Sequence, residues 1–560
     1  MRARWLFIKS RLSNCVRRLL KPRFHHGSPN PAGCAGTGFC AGCNDVNAIF
    51  RFNGTTHVFY QHTETPEYNG SSVPAAWRVC WAHAASRDNV RWRNFGCVGS
   101  WDKAFGVAWD GALLGLDPVS GPVLLYDAFI NGTTMQKNDV KFGEVMVTPV
   151  DLADEWLREW QVRPDVAQPV LQSSTAGTNP GPGFGLPVAS GGAADTRYTV
   201  AVAHTGERGC VLLSSGAGLR DVRMLNKDFF APDHRISPNC FQPNLIELPG
   251  AVGFTHLLKF EGPSKHCGPG CWGDSAYILG SVGKNSSSGL PEFVPRDSGH
   301  VYHRLDGGNF QWAELSSPLE QGRSLLMGWV RSGQFVQGAK AFLPNTCNPV
   351  WPHAPPSFLT ESLMREVAWD ARAAAVVTPP LRELEQLRGA APLAVLGQTR
   401  LPKGVRRPLV VAGAGAGSPI GRQLEILAYF ERPSSGNATF GVAVLESVLL
   451  GQRTDVSLSL SAAQGAAGSV ALTVDGSRGG FLPAACEAVL PPSVARSTAV
   501  ALPGELLQLR VFVDRGVVEA FAMGGPSSPN PFFRGSFCVA RTLNATGPSR
   551  VTLSQRQEQF

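Results

Sequence analysis

Short apolar runs of period two recur along this chain, each cut off by Gly, Asn, Asp or Pro. In Ala48-Ile-Phe-Arg-Phe-Asn-Gly-Thr-Thr-His-Val-Phe-Tyr60 an Asn-Gly pair separates two such runs, the pattern of a β-hairpin with a two-residue turn. The same texture returns at 123–129, 198–204, 252–260, 276–282 and 324–330. Long helices need a 3.6-residue period, so the repetition predicts many short antiparallel strands in a propeller or a sandwich. Gly 62 and Pro 42 supply the turns, and 43% hydrophobic with 17% charged residues excludes a disordered or coiled-coil chain.

A chain of 560 residues exceeds what one hydrophobic core serves, so at least two domains are expected. The texture changes after Trp351, with Pro352, Pro355 and Pro356, an amphipathic stretch over 361–370 and helical spacing over 380–388. This reads as a junction. The expected layout is a basic extension over 1–20, a first β-domain over 21–355, a linker with a short helix over 356–405, and a β-sandwich over 406–560. In the last part, apolar residues flank an Asp514-Arg-Gly516 turn.

The net charge of +8 is concentrated in the first 23 residues, so the body has no basic patch that would bind nucleic acid. No run of about 20 apolar residues is present, so no transmembrane segment is expected. The apolar run Trp5 to Ile8 is shorter than a secretory core. Six N-x-Ser/Thr sequons, at Asn53, Asn69, Asn131, Asn285, Asn437 and Asn544, nevertheless point to a secreted, cell wall or vacuolar glycoprotein. Among the 13 cysteines, Cys40 and Cys43 together with His266, Cys267 and Cys271 would suit a structural zinc site. The simpler expectation is disulfides plus free thiols, with Cys486 and Cys538 forming a bridge.

Chemistry begins at Asn44-Asp45-Val46-Asn47, just before the first hairpin. An Asp flanked by amides there is either a nucleophile at the bottom of a funnel or an ordinary turn residue. Around it stand Lys21-Pro-Arg-Phe-His-His26, Phe59-Tyr60-Gln61, Trp77 and Trp81-Ala-His-Ala-Ala-Ser-Arg-Asp88 with Trp92. In this series the chain resembles glycoside hydrolase family 32, the invertases and fructan hydrolases. Similar segments follow in the same order: Asp306 to Ala313, Arg323 to Trp329, Ser362 to Val367, and Leu509 to Glu519. The resemblance runs from about Lys21 to the C-terminus. It implies a five-bladed propeller carrying the site, followed by a β-sandwich.

The resemblance further implies a retaining β-fructofuranosidase acting on sucrose or fructans. Such an enzyme uses a nucleophile and a general acid about 5–5.5 Å apart, with neither metal nor other cofactor. Asp45 matches the nucleophile. The family's R-D-P carboxylate falls where this chain has Gly185 and Leu186. Its acid falls at Asn239, Phe241 or Gln242, according to where a gap is placed. Glu247 is the nearest carboxylic acid, either the acid or a plain strand residue. Asp110 stands where the family has a hydroxyl, either gripping sugar hydroxyls or lying in a solvated turn. Asn44, Asn47, Gln61, Trp77, Trp81 and Gln242 complete the expected sugar site. Two functions follow: a fructoside hydrolase, or a catalytically silent relative that binds sucrose or fructans.

Overall fold

The computed structural model describes residues 42–64, 78–98, 108–130, 141–173, 197–202, 209–231, 240–263, 272–297, 302–308, 310–316, 322–330, 360–390, 392–396, 404–408, 423–430, 437–447, 452–461, 468–478, 494–501, 507–514, 517–522, 535–540 and 550–556. Nearly all described elements are strands, and the exceptions are short 3-10 helices at Ala217–Leu219 and Arg382–Leu387. The first hairpin forms as its sequence predicts. Strand Gly42–Phe52 returns as Thr55–Glu64 through Asn53 and Gly54, whose φ values of 48° and 77° are those the turn demands.

Four sheets follow one another through the first domain. They begin with the strands Gly42–Phe52, Ala108–Asp117, Arg197–Val202 and Phe241–Glu247. The last sheet has ten strands but is joined across its middle by one residue pair, Asp274 opposite Gln311, so Phe310–Leu315 opens a second sub-sheet. These five strands pack side by side in a closed ring, each against the next and the last against the first. A ring of inner strands with meanders radiating outward is a β-propeller. Apolar side chains fill the wedges between its sheets, as where Phe50 and Phe59 meet Trp81 and Trp160.

In the C-terminal domain a six-stranded and a four-stranded sheet face each other over one apolar cluster, which includes Val442, Leu458, Leu472, Leu509 and Val511. This is a β-sandwich. Between the domains, the stretch over 361–370 forms strands, not part of a plain linker. Thr360–Glu361 and Arg365–Asp370 pair with Ser324–Val330. The helical spacing over 380–388 gives a six-residue 3-10 helix whose Leu384 is buried.

The sandwich is fastened behind the strand Gly42–Phe52. Arg365 reaches Asp306 at 2.7 Å and Glu519 at 2.8 Å, with all three side chains fully buried. The Leu363 amide donates to Glu519 at 2.6 Å. Phe512 and Phe521 of the sandwich share a cluster with Val46, Met327, Leu363 and Met364. All four of the later segments that carried the family resemblance therefore meet in one buried joint.

Disulfides link Cys80 to Cys97 and Cys210 to Cys240, with Cα atoms 5.7 and 5.2 Å apart. Neither pair was singled out by the sequence. Cys486 and the group Cys40, His266, Cys267 and Cys271 lie outside the described residues. Among the described residues no group of His, Cys, Asp or Glu is arranged to hold a metal, and no helix is long and apolar enough to cross a membrane.

Candidate active site

The inner strands break their pairing register where they carry polar side chains. Gly42–Phe52 holds extra residues between Cys43 and Val46 and again between Val46 and Ala48, which flank Asp45 and Asn47. Ala108–Asp117 has the same defect between Ala108 and Gly111, at Asp110. Phe241–Glu247 has it between Phe241 and Asn244, where Gln242 adopts a φ of 40°. Phe310–Leu315 has it between Gln311 and Glu314, with Trp312 at a φ of 45°. Such bulges re-aim a side chain relative to the strict alternation of a strand. They bring polar groups to the axis of the ring, where alternation alone would supply an apolar face.

At the centre Asp45 and Asp110 are buried, with 7% and 4% of their surfaces exposed. Gln61 Nε2 donates to Asp110 Oδ1 at 2.6 Å. Gln242 Nε2 lies 3.4 Å from both the Val46 carbonyl and Asn47 Oδ1, and the Gln242 side chain favours the carboxylate of Asp110. Beneath it Lys259 pairs with Glu261 at 2.8 Å, both fully buried, and donates to the carbonyls of Gln242 and Ala313. Glu261 Oε1 further accepts from Ser275 and from the Ala313 amide. Asn244 Nδ2 donates to Glu314 Oε2 at 3.0 Å.

Burial and mutual repulsion hold protons in this cluster. Asp45 is pushed well above the usual carboxylate range by burial, then by the charges of Asp110, Glu261 and Glu361, against which Lys259 acts. Asp110 is pushed up to about 7 by burial, with Glu144 adding to the rise and Lys259, Gln242 and Gln61 opposing it. Burial likewise raises Glu314 and Glu361. Asp45 Oδ1, Asn47 Nδ2, Gln242 Oε1, Glu261 Oε2 and Glu314 Oε1 have no hydrogen-bond partner among the described residues. Buried polar atoms left in this state mark a place built for a polar ligand.

The structure thus brings Asp45, Asn47, Gln61, Asp110 and Gln242 together. Asp110 is not in a solvated turn, because it sits on an inner strand, buried and hydrogen-bonded. Glu247 is not in the site. It is an exposed residue at the far end of the Gln242 strand, paired opposite His256. Trp81 is no stacking surface for a sugar: it is fully buried, and a Cβ on Gly111 would lie 2.7 Å from its ring. Asn44 lies on the strand Gly42–Phe52, and Trp77, Gly185, Leu186 and Asn239 lie outside the described residues. Lys259, Glu261, Glu314 and Glu361 were not picked out from the sequence. The available signal was Leu257, Lys259 and Glu261 at alternate positions of an otherwise apolar strand.

A propeller with a carboxylate-lined axis, backed by a sandwich, is the architecture of a glycosidase class, and comparison narrows it. The description "Glycosyl hydrolases family 32 N-terminal domain" matches residues 41–343, and "Glycosyl hydrolases family 32 C terminal" matches 395–528. The chain belongs to glycoside hydrolase family 32. The cell wall isozyme of beta-fructofuranosidase from Zea mays is 24% identical, over 86% of this chain and 81% of its own. The 6(G)-fructosyltransferase of Asparagus officinalis is 25% identical, over 87% and 78%. Fructan 1-exohydrolase IIa from Cichorium intybus, solved with 1-kestose, superposes with a TM-score of 0.68 at 16% identity, covering 96% of this chain and 98% of that one.

Proposed function

We propose that this chain is a β-fructofuranosidase-type hydrolase that cleaves terminal β-D-fructofuranosides such as sucrose or fructans with retention, using Asp45 as nucleophile. The observation that carries the reading is the position of Asp45. It stands on a doubly bulged inner strand, with Oδ1 uncommitted among the described residues and Asn47 and Gln242 beside it. Covalent catalysis needs a carboxylate that is held in place yet not consumed by internal hydrogen bonds. Asn47, Gln242 and Glu314 supply further uncommitted polar atoms for sugar hydroxyls. The relatives named for the cell wall, together with the sequons, support a secreted or cell wall location.

The test is turnover of sucrose and inulin by wild type and Asp45→Asn, with the anomer of the released fructose read by NMR before mutarotation. Wild-type turnover with retention, abolished in Asp45→Asn, supports the hydrolase. A second reading, the catalytically silent sugar-binding relative, is favoured by Gln242, an amide on the strand where the family resemblance expects the acid. An inert wild type that binds sucrose or inulin in calorimetry would establish that reading instead.

A further inference from the structure

Departure of a sugar alkoxide needs a proton, and the strand expected to supply it offers Gln242, which as an amide cannot act as the acid. Glu247 points away from the site at the exposed end of that strand. Glu261 Oε1 accepts from Lys259, Ser275 and the Ala313 amide, so it is fixed as an acceptor. Glu314 is turned toward Asn244 and does not count among the charges acting on Asp45. Among the described carboxylates that act on Asp45, Asp110 and Glu361 remain, and the charge of Asp110 acts more strongly. Asp110 lies on an inner strand that packs directly against the strand of Asp45, aimed inward by its own bulge. Gln61 anchors one of its oxygens at 2.6 Å, and 4% of its surface stays accessible.

Resting on the hydrolase reading, we infer that Asp110 is the proton donor to the glycosidic oxygen, so the acid has moved from the Gln242 strand to the strand after the first sheet. In the first step Asp45 attacks the anomeric carbon, the bond from that carbon to the leaving oxygen breaks, and the Asp110 carboxyl proton passes to that oxygen. The aglycone leaves as an alcohol. In the second step the Asp110 carboxylate takes a proton from water, whose oxygen attacks the same carbon and releases Asp45. Water is the only co-reactant, and Asp110 ends protonated as it began. Asp45 and Asp110 hold their protons as a pair, since the charge of Asp110 raises Asp45, and the reactive form is the one in which Asp45 is ionised and the remaining proton sits on Asp110. Burial and Glu144 favour the protonated form of Asp110, while Lys259, Gln61 and Gln242 stabilise its carboxylate once it forms.

The discriminating experiment compares sucrose, whose leaving group needs protonation, with p-nitrophenyl β-D-fructofuranoside, whose leaving group does not. Wild type, Asp110→Asn, Glu314→Gln, Glu361→Gln and Asp45→Asn are assayed on both, with and without azide. Asp110→Asn is expected to lose about 10²–10⁴ in kcat/KM on sucrose. It should still release nitrophenol in a burst and form fructosyl azide when azide replaces the base-assisted water. The alkaline limb of the wild-type pH profile on sucrose should vanish with it. Sucrose turnover by Asp110→Asn close to wild type would overturn the inference, as would the same substrate split in Glu361→Gln or Glu314→Gln. In those cases the loss of activity in Asp45→Asn leaves the hydrolase reading standing. A wild type inert on both substrates sinks the two together.

Discussion

Arg365, on the way out of the propeller, and Glu519, in the middle of a sandwich strand, lie 2.8 Å apart with no exposed surface on either. The guanidinium also holds Asp306 and lies over the rings of Phe310 and Phe521, 4.5 and 5.1 Å from their centroids. Both domains therefore close over one cation. Glu519→Ala leaves Arg365 still paired with Asp306 but orphans the buried Leu363 amide, so it should cost about 1–3 kcal/mol, the penalty of an unsatisfied buried donor. Urea unfolding monitored by tryptophan fluorescence checks this, and a midpoint unchanged from wild type would contradict it. Activity per folded molecule should fall less than stability, because neither residue reaches the funnel.

The fold was legible in the sequence to an unusual extent for a chain of this length, and the site only in part. The Asn53-Gly54 turn, the strand over 324–330 and the hairpin around 514–517 depend on local pattern and turn chemistry, which a sequence displays directly. Asp45 was legible because a matched motif surrounds it. Asp110 is ambiguous in sequence because Trp-Asp-Gly also reads as a turn, and only the inter-strand register shows that it is a bulge on an inner strand. Trp81 is a candidate sugar platform in sequence but not in the fold, because an aromatic residue near a motif looks the same whether it lines a site or fills the wedge behind it. Lys259, Glu261 and Glu314 come from strands remote in sequence and meet only when the ring closes. The disulfides at Cys80 and Cys210 escaped for the same reason, since pairing among 13 cysteines has no local signature.

Gln242→Glu restores a carboxylate to the strand where the family resemblance expects one, and its consequence can be given a sign. The present amide favours the Asp110 carboxylate. A carboxylate in its place withdraws that stabilisation and adds a like charge, and both effects favour the protonated form of Asp110. The alkaline limb of kcat/KM on sucrose should therefore move to higher pH, by about one unit or more for a close like-charge pair. Initial rates between pH 4 and 9 measure it. A limb that stays in place or moves to lower pH would show that Gln242 and Asp110 do not interact in solution.

Asp110 should also leave a mark on stability, opposite in sign to its service in catalysis. Its carboxyl ionises at about 7 in the folded protein against an ordinary 3.8, so the folded state binds this proton more tightly than the unfolded chain does. The resulting stabilisation is full below about pH 4, declines as pH rises from 4 to 7, and is gone above that. At 1.36 kcal/mol per unit, the difference between pH 4 and pH 8 is on the order of 4 kcal/mol for this one group. Asp110→Asn keeps an oxygen to accept from Gln61 but cannot ionise. Relative to wild type it should gain stability progressively from pH 4 to pH 8, read as the difference in urea midpoints of the two proteins at each pH. A difference that does not vary with pH would mean that Asp110 carries its charge in the folded state as easily as in water, and the proton it is assigned to deliver would not be there. The variant that folds best at neutral pH is thus expected to be the one that hydrolyses sucrose worst, because the burial that makes Asp110 an acid also penalises its carboxylate.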